Sequence, residues 1–202
     1  VVWAAQGHGK GVLTQFCRQL TPKQLSSIRV VTGDGAKWIT ECVNEFTPDC
    51  ERCVDPFHVV EWAMEALDEV RREVWREAYN EALQPAREHP GKKGRPRADD
   101  AGAAMVKAAR AKAEEIKNSA YALGKAPEHL TENQQAKVAM IAENNSRLYR
   151  ACRMKETLCL LLKIRDADEA EAELKRWLWW AGHSRIKAFK ELYQKIKRHR
   201  GH

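Results

Sequence analysis

The spacing of apolar residues changes character at Pro56, and that change limits what this chain can fold into. Before Pro56, short apolar runs alternate with helical stripes. VVWAAQG reads as a short strand ending at Gly7, and KGVLTQFCRQL follows with Val12, Leu13, Phe16, Cys17 and Leu20 at helical spacing. TPKQLSS reads as a connector. IRVVT has the β-branched content of a buried strand. AKWITECVNEF places Trp38, Ile39, Cys42, Val43 and Phe46 on one helical stripe, and CERCVDPFH offers another short strand. This alternation predicts α/β layering.

Beyond Pro56 the pattern is helical. From Phe57 to about Leu83, Val60, Ala63, Leu67, Val70 and Val74 share one face. QPAREHPGKKGRPRADD then sets three prolines and two glycines among basic residues and reads as an exposed, mobile loop. A helix is expected from Ala101 to Tyr121. Thr131 with Gln134 three residues on forms a capping box, opening a helix that continues, or restarts near Ser146, through Leu162. DADE at Asp166 to Glu169 is a further start signal, and one last helix carries Leu174, Trp177, Leu178, Ala181, Ile186, Phe189, Leu192 and Ile196. The division expected is 1–60, a helical region 61–145 with a basic loop 86–100, and C-terminal helices 146–202.

The 202 residues are 44% hydrophobic and 31% charged, with no apolar run long enough to cross a bilayer. The first residues lack the basic-then-apolar layout of a signal peptide, and the absence of an initiator Met leads us to expect a longer parent protein. The formal net charge of +7 is unevenly spread: Lys175 to His202 holds nine Lys/Arg against one acid, and Arg87 to Lys112 eight against three. Such segments are either solvated faces or contacts for a polyanion. Six cysteines in a chain of this size form no dense framework and point to a reducing cytoplasm.

Several residues are candidates for chemistry. Asp34, between Gly33 and Gly35 at a predicted strand end, is either an Asp-Gly turn or a ligand for a hard cation. Asp55 and His58, in VDPFHVV, either line the cleft at the strand ends or act as a helix N-cap with a half-buried His. Cys50 and Cys53 form one C-x-x-C without a second paired element, so packing is favoured over zinc. Glu156 borders a strongly apolar run and by itself reads as an exposed helix position. Trp177, Trp179 and Trp180 either stack on bases or, for Trp177 above all, pack in the core.

The segments VVTGDGAKWI, CVDPFHVVEWAMEALDEVRRE, KNSAYALGKAPEHLTENQ, LYRACRMKETL and WLWWAGHSRIKAFKELYQKIKRHR, in this order, resemble the ISL-three family of bacterial insertion-sequence transposases. The resemblance covers nearly the whole chain, and its most specific pieces are D-x-F-H, L-T-x-x-Q and W-x-x-x-S-R-I. It implies an α/β fold: part of a ribonuclease-H-like catalytic core, then a mainly α-helical insertion and C-terminal helices. It also implies a DDE site, in which three acids from two strands and one helix hold two divalent ions, Mg²⁺ or Mn²⁺. The family's first acid lies on a first strand, and this chain reads as starting on the third, at VVWAA. Asp34 then matches the second acid, Asp55 and His58 match the D-x-F-H motif near the site, and Glu156 matches the third acid, with Glu143 as the fallback.

The same resemblance implies metal-dependent phosphodiester cleavage and strand transfer by the full-length protein, with this span inactive alone. The partner implied is double-stranded DNA, both transposon ends and target, bound by a homo-oligomer in the bacterial cytoplasm beside the nucleoid, with no membrane. Candidate DNA contacts are Lys92, Lys93, Arg95, Arg97, Arg185, Lys187, Lys195, Lys197, Arg198 and Arg200. The alternative is a non-catalytic DNA-binding or assembly module.

Overall fold

The computed structural model describes residues 3–88 and 101–199, and side chains there except at 85–88 and 101–103. It is mostly helical with one small parallel sheet, and it forms two compact units: Val1–Glu61 with Gln194–His202, and Trp62–Tyr193.

The first unit follows the alternating part of the sequence. Its elements are α1 (Lys10–Gln19), α2 (Pro22–Ser27), β1 (Val30–Gly33), α3 (Lys37–Phe46) and β2 (Glu51–Val54). β1 and β2 pair in parallel, with Val30 opposite Glu51 and Gly33 opposite Val54. A parallel pair needs a crossover, and α3 supplies it. The apolar stripe of α3 buries Ile39, Cys42 and Val43, and α1 packs on it with Cys17 buried. Lys10 ties the two helices at the surface, 3.6 Å from Glu41 and 3.3 Å from Glu45.

Three expectations change here. Trp3 to Gln6 form no strand; a strand requires a ladder partner, and the Trp3 ring instead packs against Phe16, with centroids 5.3 Å apart. The connector TPKQLSS contains α2, opened by a full capping box. The Gln24 amide donates to the Thr21 hydroxyl at 3.3 Å, and the Thr21 amide donates to Gln24 Oε1 at 2.8 Å. β1 is not a buried strand, since Val30 is 51% exposed. β-branching gave the strand its backbone, and a sheet of two strands among the described residues gives it little cover.

α4 (Pro56–Glu88) begins in the first unit and continues in the second. The second unit then holds α5 (Ala101–Lys117), α6 (Ala120–Gly124), a 3₁₀ turn (Pro127–His129), α7 (Glu132–Asn144), α8 (Ser146–Leu161), α9 (Ala167–His183) and the start of α10 (Lys187–His199). α4 buries Ala63, Leu67, Val70 and Val74 of the stripe expected of it, with Val60 half-buried. α8 is covered on most sides: Leu148, Ala151, Cys152, Met154, Leu158 and Leu161 are all buried. α7 and α9 pack on it, and the Trp177 indole of α9 donates to the Met154 carbonyl at 2.8 Å.

The helix breaks have local causes. The Thr131 amide donates to Gln134 Oε1 at 3.0 Å at the start of α7. Asn145 leaves the helical region, and its side chain accepts from the Leu148 amide at 2.8 Å, so α8 restarts there. Asp166 accepts from Glu169 N at 2.8 Å and opens α9. The single last helix expected is two helices. Ser184 ends α9 by donating to the Ala181 carbonyl and accepting from the Ile186 amide, and Arg185 takes a positive φ of 59° between them. The neighbouring glycine, Gly182, stays inside α9, and the positive φ falls on Arg185 instead. The stretch with three prolines lies largely at residues 89–100, outside the described residues; its first residues, to Glu88, continue α4.

Candidate active site

The two strands deliver two acids to one edge. Asp34 follows the last residue of β1 and Asp55 the last residue of β2. The Asp55 amide donates to the Gly33 carbonyl at 2.8 Å, which carries the ladder one step past the strands. The two acids therefore sit side by side at the carboxyl ends of neighbouring parallel strands, which lie about 4.8 Å apart in such sheets. Each carboxylate is held by the same local turn. Asp34 Oδ1 accepts from the Ala36 amide at 2.9 Å, and Asp55 Oδ1 accepts from the Phe57 amide at 2.9 Å. Both turns open helices, α3 and α4, whose amino ends favour negative charge. The second oxygen of each acid makes no hydrogen bond among the described residues.

His58 lies on the first turn of α4. Its Nδ1 is 3.1 Å from Glu61 Oε2, and a carboxylate acceptor puts the proton on Nδ1 and leaves Nε2 as the lone-pair nitrogen in the neutral ring. Phe57 stacks edge-on against the His58 ring and is 70% exposed. Glu61 was not singled out in the sequence; its position three residues after His58 on a helix was the available signal.

Arg52 is the other residue that sequence reasoning missed. It is 6% exposed, and its guanidinium reaches three main-chain carbonyls: Val31 at 3.4 Å, Cys53 and Asp34. Its Nε is buried without a partner. A Cβ at Gly33 would crowd Ile39 Cδ1 at 3.2 Å and meet Arg52 Nη2 at 3.7 Å, an ordinary contact.

Glu156, on α8 in the second unit, is not an exposed helix position. It is 8% exposed and pairs with Lys155, which is 2% exposed and also donates to the Gly124 carbonyl at 3.2 Å. Adjacent helical residues do not ordinarily face one another. Here the long Lys155 side chain bridges Glu156 to the carboxyl end of α6. The apolar run around Glu156 signalled burial of the whole helix, which forces any charge on it to find a counter-ion. Glu143, the fallback, is exposed near the end of α7.

The donor chemistry at the strand ends fits a hard divalent cation, with one unengaged carboxylate oxygen on each of Asp34 and Asp55. A complete set is another matter: among the described residues no three His, Cys, Asp or Glu side chains come together as a metal site.

A family model described as a transposase, DDE_Tnp_ISL3, matches residues 1–202. The chain belongs to this transposase family. It is 43% identical over 203 residues to proteins named "Transposase for insertion sequence element IS1557" from two strains of Mycobacterium tuberculosis, CDC 1551 / Oshkosh and ATCC 25618 / H37Rv. The match covers 99% of this chain and 43% of each relative, so the chain spans less than half of their length. No solved structure matches it.

The remaining candidates in this transposase-family chain divide by exposure. Of the tryptophans, Trp177 is in the core, while Trp179 is 66% exposed and stacks on His183 with centroids 4.7 Å apart. Arg185, Lys187, Lys197 and Arg198 are exposed, Lys195 is half-buried, and Lys187 lies 3.8 Å from Glu191. Lys92, Lys93, Arg95, Arg97 and Arg200 lie outside the described residues. No helix among the described residues is long and apolar enough to cross a membrane. Burial pushes the Cys17 thiol up to about 11, with Cys42 beside it adding to the effect, and burial likewise raises Cys152 and Cys159. These thiols stay protonated at neutral pH and act as small apolar groups.

Proposed function

We propose that this chain is part of an insertion-sequence transposase that cuts and joins DNA with divalent metal ions. In this reading residues 1–60 belong to a ribonuclease-H-like core, 61–145 are a helical insertion, and 146–202 return the third acid. Asp34 and Glu156 are the metal-binding acids, and Asp55 and His58 are the near-site residues at the strand ends. Mg²⁺ or Mn²⁺ would supply activation of the attacking oxygen and stabilisation of the leaving one. The chain's own part is to hold carboxylates rigidly and to bind DNA. The observation that carries the reading is the pair of acids at adjacent strand ends, each fixed through one oxygen and open at the other.

The basic segments supply the affinity for transposon ends and target. Lys92, Lys93, Arg95 and Arg97 would make phosphate contacts, as would Arg185, Lys187, Lys195, Lys197, Arg198 and Arg200. In this reading the protein would act as a homo-oligomer on DNA in the bacterial cytoplasm, at the nucleoid. The activity belongs to the full-length protein. The 202-residue span alone is expected not to cleave. The basic segments would serve equally a second reading for the span in isolation: a DNA-binding or assembly module without catalysis.

The deciding experiment uses the full-length transposase on its own end DNA, with Mg²⁺ titrated. Metal-dependent cleavage that Asp34→Asn and Glu156→Gln each abolish, with DNA binding kept, supports the catalytic reading. Undiminished cleavage in either variant removes that acid from the site, and salt-sensitive binding without cleavage leaves the module.

A further inference from the structure

Arg52 raises a question that the acids do not. A guanidinium carries five N–H donors and a fixed charge, and in a buried setting it ordinarily takes a carboxylate. Asp34 and Asp55 are at the same strand ends. Yet Arg52 makes no ion pair among the described residues, and all of its hydrogen bonds go to main-chain carbonyls. Those carbonyls belong to both strands. Val31 is its register partner on β1, Cys53 is its neighbour on β2, and Asp34 lies just past the end of β1. The side chain thus runs from the middle of β2 to the edge where the acids stand. Its Nε is left buried and unpartnered, a cost that an unconstrained arginine at the surface would avoid.

We propose that Arg52 is the positioning residue of the strand-end acids: it fixes the Asp34 main chain through the carbonyl while leaving the carboxylates of Asp34 and Asp55 free for a cation. This rests on the reading of Asp34 as a metal ligand. Asp34 is held from two sides, its carbonyl by Arg52 and its Oδ1 by the Ala36 amide. What remains unheld is Oδ2, the atom that would face a metal. An arginine turned toward the carboxylates would neutralise them and compete with the cation. An arginine turned toward the carbonyls orders the backbone without that competition. Lysine cannot replace it, because one ammonium does not span three carbonyls on two strands.

The test compares Arg52→Lys and Arg52→Gln with Asp34→Asn in the full-length transposase. Three quantities are measured without relying on cleavage: Mn²⁺ affinity by electron paramagnetic resonance, amide exchange at residues 34–36, and DNA affinity. Removing such an outer support of a metal ligand weakens metal affinity by about 10–100-fold. The expected result is a folded Arg52→Lys protein with Mn²⁺ binding weakened by at least about tenfold, faster exchange at residues 34–36, and DNA affinity within about twofold of wild type. A folded Arg52→Lys with unchanged Mn²⁺ affinity overturns the proposal. Loss of folding in both arginine variants overturns it too, since Arg52 is then a staple of the sheet. If Asp34→Asn binds Mn²⁺ as wild type does, the metal reading itself has failed. If Asp34→Asn loses Mn²⁺ and Arg52→Lys keeps it, only the role of Arg52 has failed.

Discussion

At the strand ends Asp34 is exposed and Asp55 half-buried, and each gives one carboxylate oxygen to a main-chain amide two residues on. On α8, Glu156 is buried and its carboxylate is taken by Lys155. The two regions hold acids of the same chemistry in opposite ways. Solvent keeps the strand-end charges cheap, so a local turn is enough to orient them. Inside a helix covered on most sides, a carboxylate without a counter-ion costs several kcal/mol, and the chain provides a lysine at the adjacent position. The basic residues follow the same division in reverse. Arg52 donates to carbonyls, with Nε left unpartnered, and leaves its neighbouring acids open, whereas Lys155 pairs with an acid and closes it. A metal can therefore approach Asp34 without displacing any partner, while at Glu156 it has to replace an ammonium.

The sharpest way to break this comparison is Asp34→Asn in the full-length protein. Asparagine keeps the acceptor for the Ala36 amide and removes the charge. Cleavage should fall by at least about 10³-fold, the several kcal/mol a metal-bound charge supplies, while thermal stability stays within about 0.5 kcal/mol of wild type. A stability loss as large as the activity loss would make Asp34 a turn residue only.

The second test acts on α8. Lys155→Met strands a buried carboxylate and should cost about 3–5 kcal/mol in denaturant unfolding, whereas Lys155→Met with Glu156→Leu should recover most of it. If the single variant costs less than about 1 kcal/mol, Glu156 is reached by water and the contrast between the regions fails.

Replacing Lys92, Lys93, Arg95 and Arg97 by Gln removes up to four phosphate contacts. The slope of log DNA affinity against log salt should flatten by up to about 3–4 units, for any duplex sequence. An unchanged slope with the fold intact would assign those residues to a solvated linker.

A smaller effect is expected at the helix restart that sets α8 apart from α7. Asn145→Ala removes the acceptor for the Leu148 amide and should cost about 1 kcal/mol. The smallest concerns Cys17, whose folded pKa is raised from 9.0 to about 11. Its contribution is full below pH 9 and is lost as the pH rises toward 11, because the unfolded thiol ionises first. Cys17→Ala should flatten the alkaline decline of stability over that window.

By itself the sequence determined the parts of this molecule that local chemistry controls. β-branching at Ile28 to Thr32 marked a strand, observed at Val30–Gly33, and the stripe from Val60 to Val74 marked α4. Thr131, Asn145 and Asp166 lie where side chains satisfy the free amides of a helix start, although only the first and last were read as signals. Asp34 and Asp55 were legible as strand-end residues because glycine and proline punctuate both turns. The signature of α2 was present in Thr21 and Gln24 and went unread behind Pro22.

Tertiary structure decided the rest. Whether Trp3 to Gln6 became a strand depended on a ladder partner, which no local pattern specifies. No local pattern singled out Arg52; the parallel register brought three carbonyls within its reach. Glu156 read as solvent-facing until α6, α7 and α9 covered its helix and Lys155 became its counter-ion. The turn falls at Arg185 rather than at Gly182, because Ser184 makes it by bonding both helices. Periodicity and caps are encoded within a few residues, so a sequence states them directly. The partner of a buried charge is set by which elements pack together, and that is settled only when the chain has folded.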